Sequence, residues 1–312
     1  NAKNIFLIIT LFFIYQLMNK NENENVLNIK TDNSIRKNEI KEIELETFDV
    51  FHEIDIAHAK YGLDNTFISF LYYNIPYIVF ATKDKSIISY NLDNLSITAE
   101  IKSAHDEFIT NFRDYRKNNN IIYILSISAT NNNIKIWNFK NWECILDLKL
   151  NFLIGSIFSS CYLFKDNKDY IIASSTNDSQ YIRLYDFTGK EIISFNDSKG
   201  KVTFLDYYFD LQTNKYYVIA GYSGFAKSFD LENNKLYHKY EDIFADTFWH
   251  GSLKINSTEN IIKLIDSCWL DDLIRIWDFH KGKLISKFKT GGDSVKCICL
   301  WEENYYFVGN KD

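Results

Sequence analysis

The chain has 312 residues, 46% of them hydrophobic and 17% aromatic, so it can bury a large core, and long-chain disorder is excluded for the bulk of it. Its net charge is −6 and no stripe of basic residues runs through it, which argues against a dominant role on nucleic acid. Five scattered cysteines, Cys144, Cys161, Cys268, Cys297 and Cys299, are odd in number and read as reduced thiols of a cytoplasmic or nuclear protein rather than a disulfide framework.

The sequence opens with an apolar stretch, Ile5–Met18, that has two readings. It is a packed strand pair or core segment, or it is a signal or anchor, although fourteen residues are short for a membrane span and no small-residue cleavage site follows. The polar stretch 19–48 reads as loop or solvated strands. Within it VLNIKTDNSIR (26–36) loosely echoes IVFATKDKSII further on, so residues 1–48 are either a degenerate first unit or an N-terminal extension.

From about residue 49 a repeat sets in. SIISYNL (86–92), NIKIWNF (133–139), YIRLYDF (181–187), FAKSFDL (225–231) and LIRIWDF (273–279) share one shape: apolar–polar alternation, then an aromatic, Asn or Asp, and an apolar residue. The aromatics are Tyr90, Trp137, Tyr185, Phe229 and Trp277. Asp84, Asn131, Ser223 and Asp271 lie six residues upstream of theirs, and Asp178 lies seven upstream. An apolar strand precedes each of these turns, and another strand is expected before that. A fourth follows the aromatic, as in CILDLKL, EIISF and KLISKF. Each unit thus reads as four short strands joined by tight turns, about 45 residues in all. A lone sheet of this kind exposes both faces, and stacking successive sheets around an axis buries them. Residues 294–312 repeat the first half of a unit, with Asp312 aligned on Asp84, so the last unit is expected to be incomplete.

At these positions the chain resembles the WD40 repeat family. The Trp-Asp dipeptide stands intact at Trp277-Asp278 and is softened to Trp137-Asn138, Tyr185-Asp186, Phe229-Asp230 and Tyr90-Asn91. The family's turn Asp matches Asp84, Asp178 and Asp271, whereas its Gly-His element is poorly kept: His58 and His105 stand at a fitting distance but neither follows Gly. The resemblance implies an all-β propeller of four-stranded antiparallel blades, seven in number with the last incomplete. It also implies a structural hydrogen-bonded set inside a blade, for which Ser267, Asp271 and Trp277 have the spacing.

Motifs for chemistry are sparse. GYSGFAK (221–227) lacks the spacing of a phosphate loop, HEIDI (52–56) has Ile56 where a zinc protease needs its second His, and the six histidines show no metal-ligand spacing. Cys297 and Cys299 would share a strand face without a second pair to complete a metal site. The expectation is therefore a non-catalytic protein without cofactor or metal. Its family implies partners on the top face, near the entry of the innermost strands and just before the turn Asp. Those positions are Thr66, Ile68, Phe108, Thr110, Lys201, Thr203, Ser294 and Lys296, with Lys83, Thr130, Asn177, Leu270 and Lys311. Apolar anchors beside lysines would suit proteins or peptides, including acidic or phosphorylated ones. Two function classes follow: a scaffold or adaptor, and a propeller enzyme or small-ligand sensor with its site in the central channel.

Overall fold

A computed structural model describes residues 67–312, except 118–120, 129, 151–156, 176–181, 196–197, 199–201, 223, 243–253, 257–261, 268–271, 292–294, 302–304 and 311–312. The readings of Ile5–Met18, of the degenerate first unit and of His58 fall outside the described residues, and with them the seventh blade.

The described residues form strands and turns without helix. Sheet 1 comprises β1 (Phe67–Tyr72), β2 (Ile75–Ala81), β3 (Ile87–Asn91) and β4 (Ser96–Ile101). Sheet 2 comprises β5 (Asn111–Lys117), β6 (Ile121–Ser128), β7 (Asn133–Asn138) and β8 (Cys144–Lys149). Sheet 3 comprises β9 (Ile157–Lys165), β10 (Lys168–Ser175), β11 (Ile182–Asp186) and β12 (Glu191–Phe195). Sheet 4 comprises β13 (Val202–Asp210), β14 (Lys215–Tyr222), β15 (Phe225–Asp230) and β16 (Lys235–Glu241). Sheet 5 comprises β17 (Lys254–Asn256), β18 (Lys263–Ser267), β19 (Leu273–Asp278) and β20 (Lys283–Lys289), its first strand only three residues long. A two-stranded sheet of β21 (Val295–Trp301) and β22 (Tyr305–Asn310) follows. Every sheet is antiparallel, with its strands paired in chain order. The five predicted third strands are β3, β7, β11, β15 and β19.

The alternation along each strand decides where the core lies. In β6, Ile122 and Ile124 pack with Phe70, Val79 and Ile87 of sheet 1, whereas Leu125 and Ile127 pack with Tyr162, Ile171 and Ala173 of sheet 3. The same division recurs in sheet 3, where Ile171 and Ala173 face sheet 2 while Cys161, Leu163 and Ile172 face sheet 4. A strand with period-2 side chains buries both sets only when its sheet is sandwiched between two others. The first strands touch in succession, β1 with β5, β5 with β9 and β9 with β13, so the sheets follow one another as blades do. The signature aromatic consistently faces the preceding sheet. Trp137 packs against sheet 1, Tyr185 against sheet 2, Phe229 against sheet 3 and Trp277 against sheet 4.

Opposite that aromatic, the fourth strand bulges in all five sheets. Tyr90 pairs with Ile97 after Ser89 has paired with Ala99, leaving Thr98 extra. By the same count Ile145, Ile192, Tyr237 and Ile285 are the extra residues in sheets 2 to 5. A bulge raises the local twist and disrupts the ladder, which blunts an outer edge against unwanted pairing.

Candidate functional site

The polar side chains inside the sheets are placed by the register that positions the aromatics. Trp137 lies opposite Ile124, and two residues along β6, on the same face, stands Ser126. The Trp137 indole N–H donates to Ser126 Oγ at 2.8 Å, and Ser126 Oγ lies 2.7 Å from His105 Nε2. All three side chains are buried. Burial pushes His105 down to about 4, aided by the charge of Lys135 against smaller upward pulls from Asn133, Asp147 and Asp106, so His105 is neutral at pH 7.

In sheet 5 the equivalent position is Asp266, not Ser267. The Trp277 indole donates to Asp266 Oδ2 at 2.5 Å, whereas Ser267 Oγ is buried without a hydrogen-bond partner among the described residues. The expected pairing of Trp277 with Ser267 is therefore corrected by one residue, and Asp271 lies outside the described residues. A slip of one residue moves a side chain to the other face of the sheet. Arg275, opposite Asp266 in the ladder, is fully buried; its Nη1 lies 3.6 Å from Asp266 Oδ1 and its Nε 3.3 Å from Asp242 Oδ2. Lys287 Nζ reaches the same Asp242 oxygen at 3.1 Å. Burial pushes the Asp242 carboxyl up, but the hydrogen bonds and charges of Lys287 and Arg275 hold it below the usual carboxylate value.

The other three sheets have no indole to satisfy, and their equivalents of Ser126 are Phe80, Ala173 and Ala220. Tyr90 accordingly stacks on Phe80, with ring centroids 5.8 Å apart. Polar partners thus occur at this position only where the aromatic is Trp. A signal that sequence reading passed over lies two residues before the aromatic, where Lys135, Arg183, Lys227 and Arg275 recur. Lys135 meets Asp147 at 3.0 Å and Arg183 meets Glu191 at 3.2 Å, each pairing with a carboxylate of the fourth strand.

Among the described residues, the first strands carry a charge pair between alternate sheets. Arg113 of β5 stacks 4.6 Å from the Phe204 ring of β13, and its Nη1 lies 3.7 Å from Asp206 Oδ2. Burial raises the nearby Cys161 thiol and Tyr115 hydroxyl well above their ordinary values, so neither is an activated nucleophile.

The candidate binding surface lies where the turns between second and third strands meet the connections leaving the fourth. His105 N donates to Lys85 O at 3.4 Å, Leu150 N to Asn132 O at 2.9 Å and Thr290 N to Asp272 O at 2.7 Å, so the same clasp recurs in sheets 1, 2 and 5. Around the first clasp, Phe108 is 44% exposed and Lys85 Nζ sits 5.9 Å from its ring centroid. Lys85 Nζ also pairs with Glu107 at 3.8 Å and donates to Asp106 O. Lys83 is exposed beside Asp84, whose carboxylate accepts from Thr82 and Ser86 and is held low chiefly by the Thr82 hydroxyl.

Of the predicted surface residues, Phe108, Lys83 and Thr130 are exposed on these loops. Thr110 is half-buried, and its N and Oγ1 both donate to Ile127 O, at 2.7 and 3.3 Å, which ties β5 to β6. Ile68 is also half-buried and packs on the core between sheets 1 and 2. Thr203 lies in β13 and Lys296 in β21. Thr66, Asn177, Asp178, Lys201, Leu270, Ser294 and Lys311 lie outside the described residues. Lys85 and Glu107 were missed, because neither stands at a strand entry or before the turn Asp.

Among the described residues no group of three or more His, Cys, Asp or Glu side chains could hold a metal ion, and no helix is long and apolar enough to cross a membrane.

The fold has a counterpart among solved structures. It resembles the crystal structure of the computationally designed Ika8 protein. The TM-score is 0.54 at 15% identity, over 75% of this chain and 65% of the designed one. No family model matches the sequence, and no curated protein does. In all, 1078 chains of solved structures match, so the architecture by itself does not select a function.

Proposed function

We propose that the chain is a divergent WD40-type propeller, seven-bladed in its full form, that works as a non-catalytic adaptor and docks a protein or peptide on its clasp-bearing end. The observation that carries the docking surface is the exposed Phe108 ring held against Lys85 beside Lys83. A large aromatic ring left 44% exposed on a loop, rather than packed between sheets like the signature aromatics, is a suitable anchor for an interface. The repeat spacing, the Trp-Asp positions and the succession of four-stranded sheets support the family reading. An acidic or phosphorylated segment beside an apolar residue would complement Lys83 while its apolar side chain covers Phe108.

The test compares captured proteins by quantitative mass spectrometry, using the wild type and a variant carrying Phe108→Ser and Lys83→Glu. Both residues are exposed, so the expected melting temperature is unchanged while one or more partners fall at least tenfold. An identical set of partners on both baits would overturn the assignment of this surface.

A further inference from the structure

We propose that the outer edge of sheet 5, strand β20, is a second docking site that takes an acidic, apolar-containing extended segment of a partner protein as an added strand. β20 ends its sheet and has no further hydrogen-bonded strand among the described residues. Its sequence, KLISKFK, holds Lys283, Lys287 and Lys289 and no acid. The other outer strands each carry one: Glu100 in β4, Asp147 in β8, Glu191 in β12 and Glu241 in β16. The acids that meet the β20 lysines lie inward, Asp242 with a side chain 6% exposed and Asp272 at 24%, while Lys287 and Lys289 stay 40% and 76% exposed. The edge is therefore cationic on a chain of net charge −6. Between the lysines, Leu284 and Ile285 are 37% and 47% exposed. Lysines on an edge deter a neutral or cationic strand, and the same charges favour an acidic one, because opposite charges across a ladder attract. Exposed apolar side chains stand at the bulges of other outer strands too, at Ile97, Ile192 and Leu236, so it is the charge that sets β20 apart. An added strand gains main-chain hydrogen bonds along the regular stretch from Ser286 to Lys289, past the bulge at Ile285, and its end lies beside the two exposed apolar side chains.

The experiment uses the full chain and fluorescein-labelled peptides read by anisotropy. A peptide of alternating aspartate and valine is expected to bind, more weakly as salt rises, and Lys283→Glu with Lys289→Glu is expected to weaken it at least tenfold. The same double variant should gain binding to alternating lysine and valine, and Phe108→Ser should change neither result, which separates this edge from the clasp-bearing end. Lys283 has no ion pair among the described residues, so Lys283→Glu alone gives a smaller loss of the same sign even if the double variant fails to fold. Equal binding of alternating aspartate and serine would overturn the proposal, since charge alone would then suffice. So would equal binding by wild type and variants, or binding of phosphatidylserine vesicles with no binding of any peptide.

Discussion

Sheets 2 and 5 hold the same indole at the same place and satisfy it in opposite ways. In sheet 2 the Trp137 N–H meets a hydroxyl, backed by a neutral histidine; in sheet 5 the Trp277 N–H meets a carboxylate, backed by a buried guanidinium. The neutral set costs little to desolvate and tolerates the loss of one member. The ionic set binds more tightly once formed, but each of its charges depends on the others, since an unpaired buried charge is far costlier than an unpaired hydroxyl.

The largest expected effect follows from that dependence. Arg275→Met leaves the buried Asp266 without its cation, although Asp242 keeps Lys287, and urea denaturation should show a loss of about 3–5 kcal/mol. Lys135→Met, at the same ladder position in sheet 2, should cost under about 1 kcal/mol, because its partner Asp147 is 55% exposed and the pair is largely screened. Equal costs at the two positions would show that burial of the ion network does not distinguish the sheets.

Acid separates the two sheets next. Unfolded, His105 takes up a proton near its ordinary pKa of about 6.5. Folded, it does so only near 4. Between those values the unfolded chain binds more protons, so stability rises with pH and falls by about 3 kcal/mol as pH drops from 7 to 4. The Asp242 carboxyl, held low, stabilises above its unfolded value and loses that contribution only in more acid solution, outside this window. His105→Gln should thus flatten the melting-temperature profile between pH 6.5 and 4, whereas Asp242→Asn should leave its slope there unchanged.

A smaller contrast lies in the indoles themselves. Trp137→Phe should cost about 2 kcal/mol from lost volume and one neutral hydrogen bond. Trp277→Phe should exceed it by about 1 kcal/mol, since a charged acceptor loses its donor. Both are read from the same denaturation midpoints.

How much of this was legible depends on whether pairing enters. The repeat, its four strands and the signature aromatics follow from period-2 alternation and spacing, which are local. The bulge residues Thr98, Ile145, Ile192, Tyr237 and Ile285 are of types that fill regular strands just as well, three of them Ile, so only the ladder reveals them. Asp266 was missed in favour of Ser267 for the same reason: both are polar, and which of them meets Trp277 depends on a register set by the neighbouring strand. The Arg113–Asp206 pair joins residues more than ninety apart across sheet 3, beyond any local pattern. On the candidate surface, Phe108 and Lys83 were readable as strand-entry and pre-turn positions, while the contribution of Lys85 needed the folded clasp.

The smallest expected effect compares two hairpin tips. Sheet 3 turns through Asp166-Asn167, both left-handed with φ of 51° and 59°, residues that tolerate it. Sheet 1 turns through Tyr73-Asn74 at 50° and 62°, and the Tyr73 side chain is 69% exposed. Tyr73→Asn should raise stability by roughly 0.5–1 kcal/mol by relieving a strained aromatic. A lower melting temperature would mean that its contact with Tyr72, at 4.6 Å between centroids, outweighs the strain.

Because within each of the five four-stranded sheets every strand pairs with its neighbour in the chain, such a sheet can form once its own stretch of residues exists. The loops to be closed are short, so hairpins form on the microsecond scale, far faster than residues are added during synthesis. The slow step is then the docking of finished sheets on one another, and a ribosome paused after sheet 2 would already hold a nascent chain with Trp137 seated against its neighbour.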